Sequence, residues 1–134
     1  MRLLFMLFIL SSTIFAHDIK LNIINIENIK GNLYIGVYKN KNNFPLLDKT
    51  YVGIIKKISS HNMKYTIKNI PNGIYAISVF HDENNNSKLD KSFLGIPTES
   101  YGFSNNIKPT FRSATFDESK FELLNDKNLT IDIE

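Results

Sequence analysis

Apolar residues in this chain recur at every second position, in short runs cut by turn-forming residues. That period fits half-buried strands and does not fit long amphipathic helices. Ile19, Leu21 and Ile23 alternate with Lys20 and Asn22, and Leu33, Ile35 and Val37 alternate with Tyr34, Gly36 and Tyr38. Met63, Tyr65 and Ile67 repeat the pattern, as do Leu129, Ile131 and Ile133 with Thr130 and Asp132 between them. The phase slips at Ile23-Ile24, which predicts a bulge there. Turns are predicted at Lys30-Gly31-Asn32, at Ser59–Asn62 and at Pro71-Asn72-Gly73, where Pro fixes φ and Asn-Gly tolerates positive φ. Ile74–Phe80 is β-branched and aromatic with no breaker, and it is apolar on both faces, which places it centrally in a sheet. Tyr51–Ile58 is a further apolar patch of weaker period, and 39–45 is a polar loop. Asp117-Glu118-Ser119-Lys120 has the composition of one helical turn. No heptad or internal repeat is present. The expectation is an all-β antiparallel sandwich of about seven strands.

Residues 1–16 carry an early charge (Arg2), an apolar run (Leu3–Leu10) and then Ser-Ser-Thr before Ala16, the layout of an export signal. The apolar run is too short for a membrane-spanning helix. The expected mature domain is therefore 17–134, in the periplasm or outside the cell, with no later membrane span. Among the 134 residues there is no cysteine, which excludes disulfide scaffolds, thiolate metal sites and cysteine nucleophiles. From His17 onward 15 Lys+Arg face 13 Asp+Glu, and the lysines are scattered, which argues against nucleic acid as a partner. The counts of 19 Ile, 17 Asn and 14 Lys against 2 Arg follow an AT-rich coding bias, so an isolated Asn carries little weight.

Residues 81–110 hold most of the turn formers and are too long for an ordinary connection. Oxygen side chains fall at Asp82, Asn84, Asn86 and Asp90, positions 1, 3, 5 and 9 of a calcium loop. Lys88 at position 7 would offer its backbone carbonyl. A chain curling around an ion points every second residue inward, and hard Ca²⁺ takes oxygen ligands. Position 6 is Ser87 where a Gly is usual, and position 12 is Phe93 where a bidentate Glu is usual. Glu99 folding back would supply the third carboxylate. Such a low-charge set predicts weak affinity, about 10⁻⁴–10⁻³ M. The competing reading is a loop of Asx-turns with no ion. Phe93, Leu94, Ile96, Tyr101 and Phe103 predict that the segment packs back on the domain.

Other chemistries need particular juxtapositions. A hydrolase would need His81, Glu99 and Ser104 in one cleft, since no nucleophile elbow, zinc-protease or phosphate-loop motif is present. Copper would need an N-terminal His17 beside His61 or His81. Carbohydrate stacking would need Tyr34 and Tyr38, which share a strand face, to be exposed. The favoured expectation is a non-catalytic binding or structural module for an unidentified periplasmic or cell-surface ligand.

The run Ile70-Pro71-Asn72-Gly73-Ile74-Tyr75-Ala76, followed by Val79-Phe80-His81-Asp82-Glu83-Asn84, resembles the "LPxGxYAvxvfHDeNxNgklD" signature of the DUF2141 family of exported bacterial proteins. Phe93-Leu94-Gly95-Ile96-Pro97, Glu99, Tyr101-Gly102-Phe103-Ser104-Asn105-Asn106 and Phe116-Asp117-Glu118 are similar to that family too. The resemblance implies a prealbumin-like or carboxypeptidase-regulatory-like sandwich and no known activity. The chain departs from the family pattern at Asn85-Asn86-Ser87, where the family often has Gly.

Overall fold

The structure, a computed structural model, describes residues 13–134, so the predicted export signal lies for the most part outside the described residues. Eight strands follow one another: β1 (Ala16–Ile24), β2 (Asn32–Tyr38), β3 (Val52–Lys57), β4 (Met63–Pro71), β5 (Gly73–Asp82), β6 (Tyr101–Phe103), β7 (Phe121–Leu123) and β8 (Lys127–Asp132). One helical turn, α1 (Phe116–Ser119), precedes β7. The strands form a three-stranded sheet, β4-β1-β8, and a larger sheet, β3-β2-β5-β6, in which β7 also pairs with β5.

Two faces of alternating apolar residues meet between the sheets. Ile19, Leu21, Ile23, Ile67 and Ile131 come from the small sheet, and Leu33, Ile35, Val37, Ile77 and Val79 from the large one. Each such side chain contributes about 1.5–3 kcal/mol on burial. The all-β sandwich read from the period-two pattern is therefore the fold. β5 is buried along almost its whole length, as its two apolar faces require. Its odd residues enter the main core, whereas Ala76 belongs to a second core on the far side of the sheet, with Tyr38, Phe44, Phe103, Ala114 and Phe116.

Three expectations need correction. The sandwich is not wholly antiparallel, because β1 pairs antiparallel with β4 and parallel with β8, Ile19 opposite Lys127 through Ile24 opposite Asp132. Alternation fixes which face a residue occupies and says nothing about strand direction. The register shift of β1 falls between His17 and Ile19, not at Ile23-Ile24. The doubled isoleucine instead marks where the β4 pairing ends, while Ile24 still pairs with β8. The third concerns 39–45, which is not uniformly polar in its contacts. Phe44 from this loop is only 8% exposed and meets the rings of Tyr38, Phe103 and Phe116.

The two sheets are tied on one side by Asn106. Its side-chain amide donates to the Thr130 carbonyl and its Oδ1 accepts from the Asp132 backbone N–H, so one side chain stands in for a strand residue beside β8. Gly102 makes this approach possible, since a Cβ there would strike the Asp132 carbonyl.

Candidate functional site

The site begins where β5 ends. Asp82 is fully buried, and its two carboxylate oxygens accept the backbone N–H groups of Asn86 (3.1 Å) and Ser87 (2.9 Å). The first residue of the predicted loop thus gathers the fifth and sixth, which curls the chain. Ser87 sits at φ 62° and Asn85 at φ 59°, both in the left-handed region. That conformation explains why Gly is preferred at position 6, because a side chain there costs about 1–2 kcal/mol. Asn84 and Asn86 point their amides at the two oxygens of Asp90, at 2.6 and 2.8 Å. Their own Oδ1 atoms accept from Asn86 N and Lys88 N, two successive Asx-turns.

Glu99 does fold back. It is 9% exposed, and its oxygens accept the backbone N–H groups of Glu83 and Asp90, both at 3.0 Å. The structure therefore gathers Asp82, Asn84, Asn86, Asp90 and Glu99 into one hydrogen-bonded network. The Lys88 N–H joins it as a donor. Among the described residues no group of three or more His, Cys, Asp or Glu side chains is spaced to hold a metal ion. In this arrangement each carboxylate oxygen already accepts one N–H and keeps a second lone pair.

Residues the sequence reading did not single out hold this loop from outside. Asn32 pairs with Asp82 in the β2–β5 ladder, which brings the β1–β2 turn alongside. The Asn32 amide donates to Asn85 Oδ1 and the Tyr34 hydroxyl to Ser87 Oγ, each at 2.8 Å. Asn28 and Lys30 both reach Glu83. The Lys30 ammonium, 2.9 Å away, holds the Glu83 carboxyl below its ordinary value, partial burial opposes this, and the Asn28 amide adds to the lowering. Gly31 adopts φ 71° and passes so close to the Asp82 carbonyl that no Cβ fits. These contacts follow from the antiparallel adjacency of β2 and β5, which no local pattern in the sequence announces.

Beyond the network the chain forms a small hairpin. Thr98 N–H bonds the Asp90 carbonyl, Lys91 pairs with Pro97, and Ser92 N–H bonds the Ile96 carbonyl. The Gly95 N–H closes a turn onto Ser92 O at 2.9 Å, with Phe93 and Leu94 as its central residues. The predicted packing of this segment is only half right. Tyr101 and Phe103 form β6 and meet the second core, whereas Phe93 is 97%, Leu94 70% and Ile96 49% exposed.

The residues of the alternative constellations each have partners of their own. His81 is buried, and its Nε2 donates to the Lys30 carbonyl at 2.7 Å, which fixes the tautomer and leaves Nδ1 without a hydrogen bond, 3.9 Å from Glu83 Oε1. Ser104 is buried, its hydroxyl bonded to Ile77 N, Ile77 O and Ser119 O. No hydrogen bond joins either to Glu99. His17 lies in β1, with Nδ1 3.9 Å from Asp126, and His61 bonds the Ile26 carbonyl. The stripe of Tyr34 and Tyr38 is not an exposed surface. Tyr38 is fully buried in the second core, and Tyr34 is half-buried, stacked on Phe80 at 4.7 Å.

The family model described as an uncharacterized protein conserved in bacteria (DUF2141) matches residues 21–132. No curated protein and no solved structure matches the chain.

Proposed function

We propose that this chain, which belongs to the DUF2141 family, works outside the cytoplasm as a non-catalytic binding or structural module whose Asp82–Glu99 loop takes calcium weakly. The observation that carries the reading is the convergence of Asp82, Asn84, Asn86 and Asp90 with the distant Glu99 in one network. Carboxylate and amide oxygens suit a hard cation. The Asn84 and Asn86 amides face Asp90 through nitrogen, and a half-turn about the terminal bond would present oxygen to an ion while giving up the two Asx-turn bonds from Asn86 N and Lys88 N, a cost in keeping with weak affinity. The left-handed Ser87 supports the same reading, since the backbone already follows the sharp sixth-position turn. The layout of residues 1–16 supports export, into a compartment where millimolar calcium is available.

The test is thermal melting of the mature chain in calcium and in chelator. At calcium concentrations about 10–100 times the dissociation constant, binding to the folded state alone stabilises by about 1.4–2.7 kcal/mol, a rise of roughly 5–10 °C. Asp90→Ala should abolish the difference between the two buffers. Identical melting of the parent protein with calcium and with chelator overturns the calcium reading.

A further inference from the structure

The hairpin Asp90–Glu99 places two large apolar side chains where turn chemistry favours Gly, Asn, Asp or Pro. Phe93 and Leu94 occupy the centre of the Ser92–Gly95 turn, at 97% and 70% exposure, and Ile96 follows at 49%. Nothing in the fold requires apolar residues there, because none of the three belongs to either core. The chain is rich in Asn and Lys, so polar alternatives were at hand. A single exposed Phe on a surface is ordinary, but three on one tip form a point of contact.

Shape and charge select the occupant. The apolar residues stand on a tight turn closed by the Lys91–Pro97 bridge and not on a sheet face, so they present a wedge. Lys88 and Lys91, which lead into the turn, are exposed. The carboxylates in the same segment face the other way, Asp90 toward the Asn84 and Asn86 amides and Glu99 toward the backbone N–H groups of Glu83 and Asp90. The tip therefore combines an apolar wedge with a positive collar. That is the pattern that enters the headgroup boundary of an anionic bilayer, with rings and aliphatic chains in the acyl region and lysines at the phosphates.

We propose that the Phe93-Leu94 tip inserts into anionic lipid surfaces, docking the sandwich on a membrane without crossing it. The contact goes beyond the calcium reading and does not depend on it. The hairpin is held by Asp90, Thr98 and Glu99 through protein hydrogen bonds.

The chain has no tryptophan, so Phe93→Trp gives a single reporter at the tip. The mature chain is mixed, in chelator, with vesicles of phosphatidylcholine alone or with about one third phosphatidylglycerol. The expected result is a blue shift of the tryptophan and co-sedimentation with the anionic vesicles. Phe93→Ser with Leu94→Ser should weaken co-sedimentation at least roughly tenfold, and Lys88→Gln with Lys91→Gln roughly tenfold. Ile55→Ser, at another exposed apolar residue on β3, should leave it unchanged. Unshifted emission, no sedimentation of the parent chain, or equal sedimentation of the Phe93→Ser/Leu94→Ser variant overturns the proposal. So does self-association on a sizing column that the tip variant abolishes in a protein that ignores vesicles, which would make the occupant a second copy. Because calcium is absent throughout, failure here leaves the calcium reading standing, and the reverse also holds.

Discussion

Two irregular segments flank the short strand β6, and they are ordered by different means. The segment 83–100 is held by side-chain oxygens gripping backbone N–H groups, and it leaves its largest apolar side chains in water. The segment 104–120 adds burial to side-chain-to-backbone bonds from Ser104, Asn105 and Asn106, with Ala114 and Phe116 in the second core against Tyr38, Phe44 and Phe103, while Phe111 stays 92% exposed. The first segment sends no side chain into either core, and the second sends Ala114 and Phe116 into one. A domain without disulfides can thus fix long connections either by satisfying their backbone or by folding their side chains into a core.

Substitutions sharpen this contrast. The largest effect is expected from Phe44→Ala, which empties the centre of the second core and should cost about 3–5 kcal/mol in denaturant unfolding. A cost below about 1 kcal/mol would show that burial does not order the 104–120 side. Next comes Asp82→Ala, which takes the acceptor from the Ser87 N–H and one of two from the Asn86 N–H, and should cost about 1–3 kcal/mol. Amide exchange should accelerate in 84–91 while 104–120 keeps its relative protection. Uniform acceleration would merge the two regions into one cooperative unit.

Thr115→Ala removes the cap of α1, in which Thr115 and Glu118 satisfy one another's backbone, and should cost about 1 kcal/mol. The same cap gives a pH signature. The Arg112 guanidinium, followed by the Thr115 backbone N–H, holds the Glu118 carboxyl at about 2 against an ordinary 4.5. A depressed acid stabilises the fold above its unfolded value and loses that contribution as pH falls through the folded value. Glu118→Gln should therefore melt below the parent at neutral pH, and the gap should close between about 4.5 and about 2. A gap that stays constant across that window would assign the effect to shape and not to charge. The smallest effect is expected from Phe93→Ser, within about 0.5 kcal/mol of the parent, because the ring is in water already. A loss comparable to that of Phe44→Ala would mean the tip is packed after all.

The contrast also shows what a single sequence makes legible. Faces were readable, because a period of two assigns Ile19, Leu21 and Ile23 to one side without any knowledge of their partners. The oxygen network was readable for a similar reason, since alternate spacing from Asp82 turns Asn84, Asn86 and Asp90 toward one centre. Partners and directions were not. Nothing local tells β1 to run parallel to β8, or brings Asn32 and Tyr34 beside Asn85 and Ser87. The exposure of Phe93 was hidden by the best general rule available, that aromatics in an ordered loop pack. The burial of Tyr38 was hidden by the converse, since its cover comes from Phe44 in a stretch that reads as polar. Local periodicity reports a residue's orientation, whereas its environment is set by segments far away in the chain.

The parallel pairing of β1 with β8 bears on the order of assembly. β1 is the central strand of its sheet, yet both of its neighbours lie later in the chain, and β8 lies at almost the greatest possible separation. As the chain grows from its N-terminal end, β4 can close one edge of β1, but the other must stay open until β8 has arrived. Closing so long a loop is entropically slow, and an open apolar strand is prone to wrong pairings. The large sheet, whose strands β2, β3 and β5 are near neighbours in sequence, is free to form meanwhile and to offer β1 an apolar face to rest on. In this sheet, the arrival of the final strand beside the first is the closure with the longest loop and the greatest entropic cost.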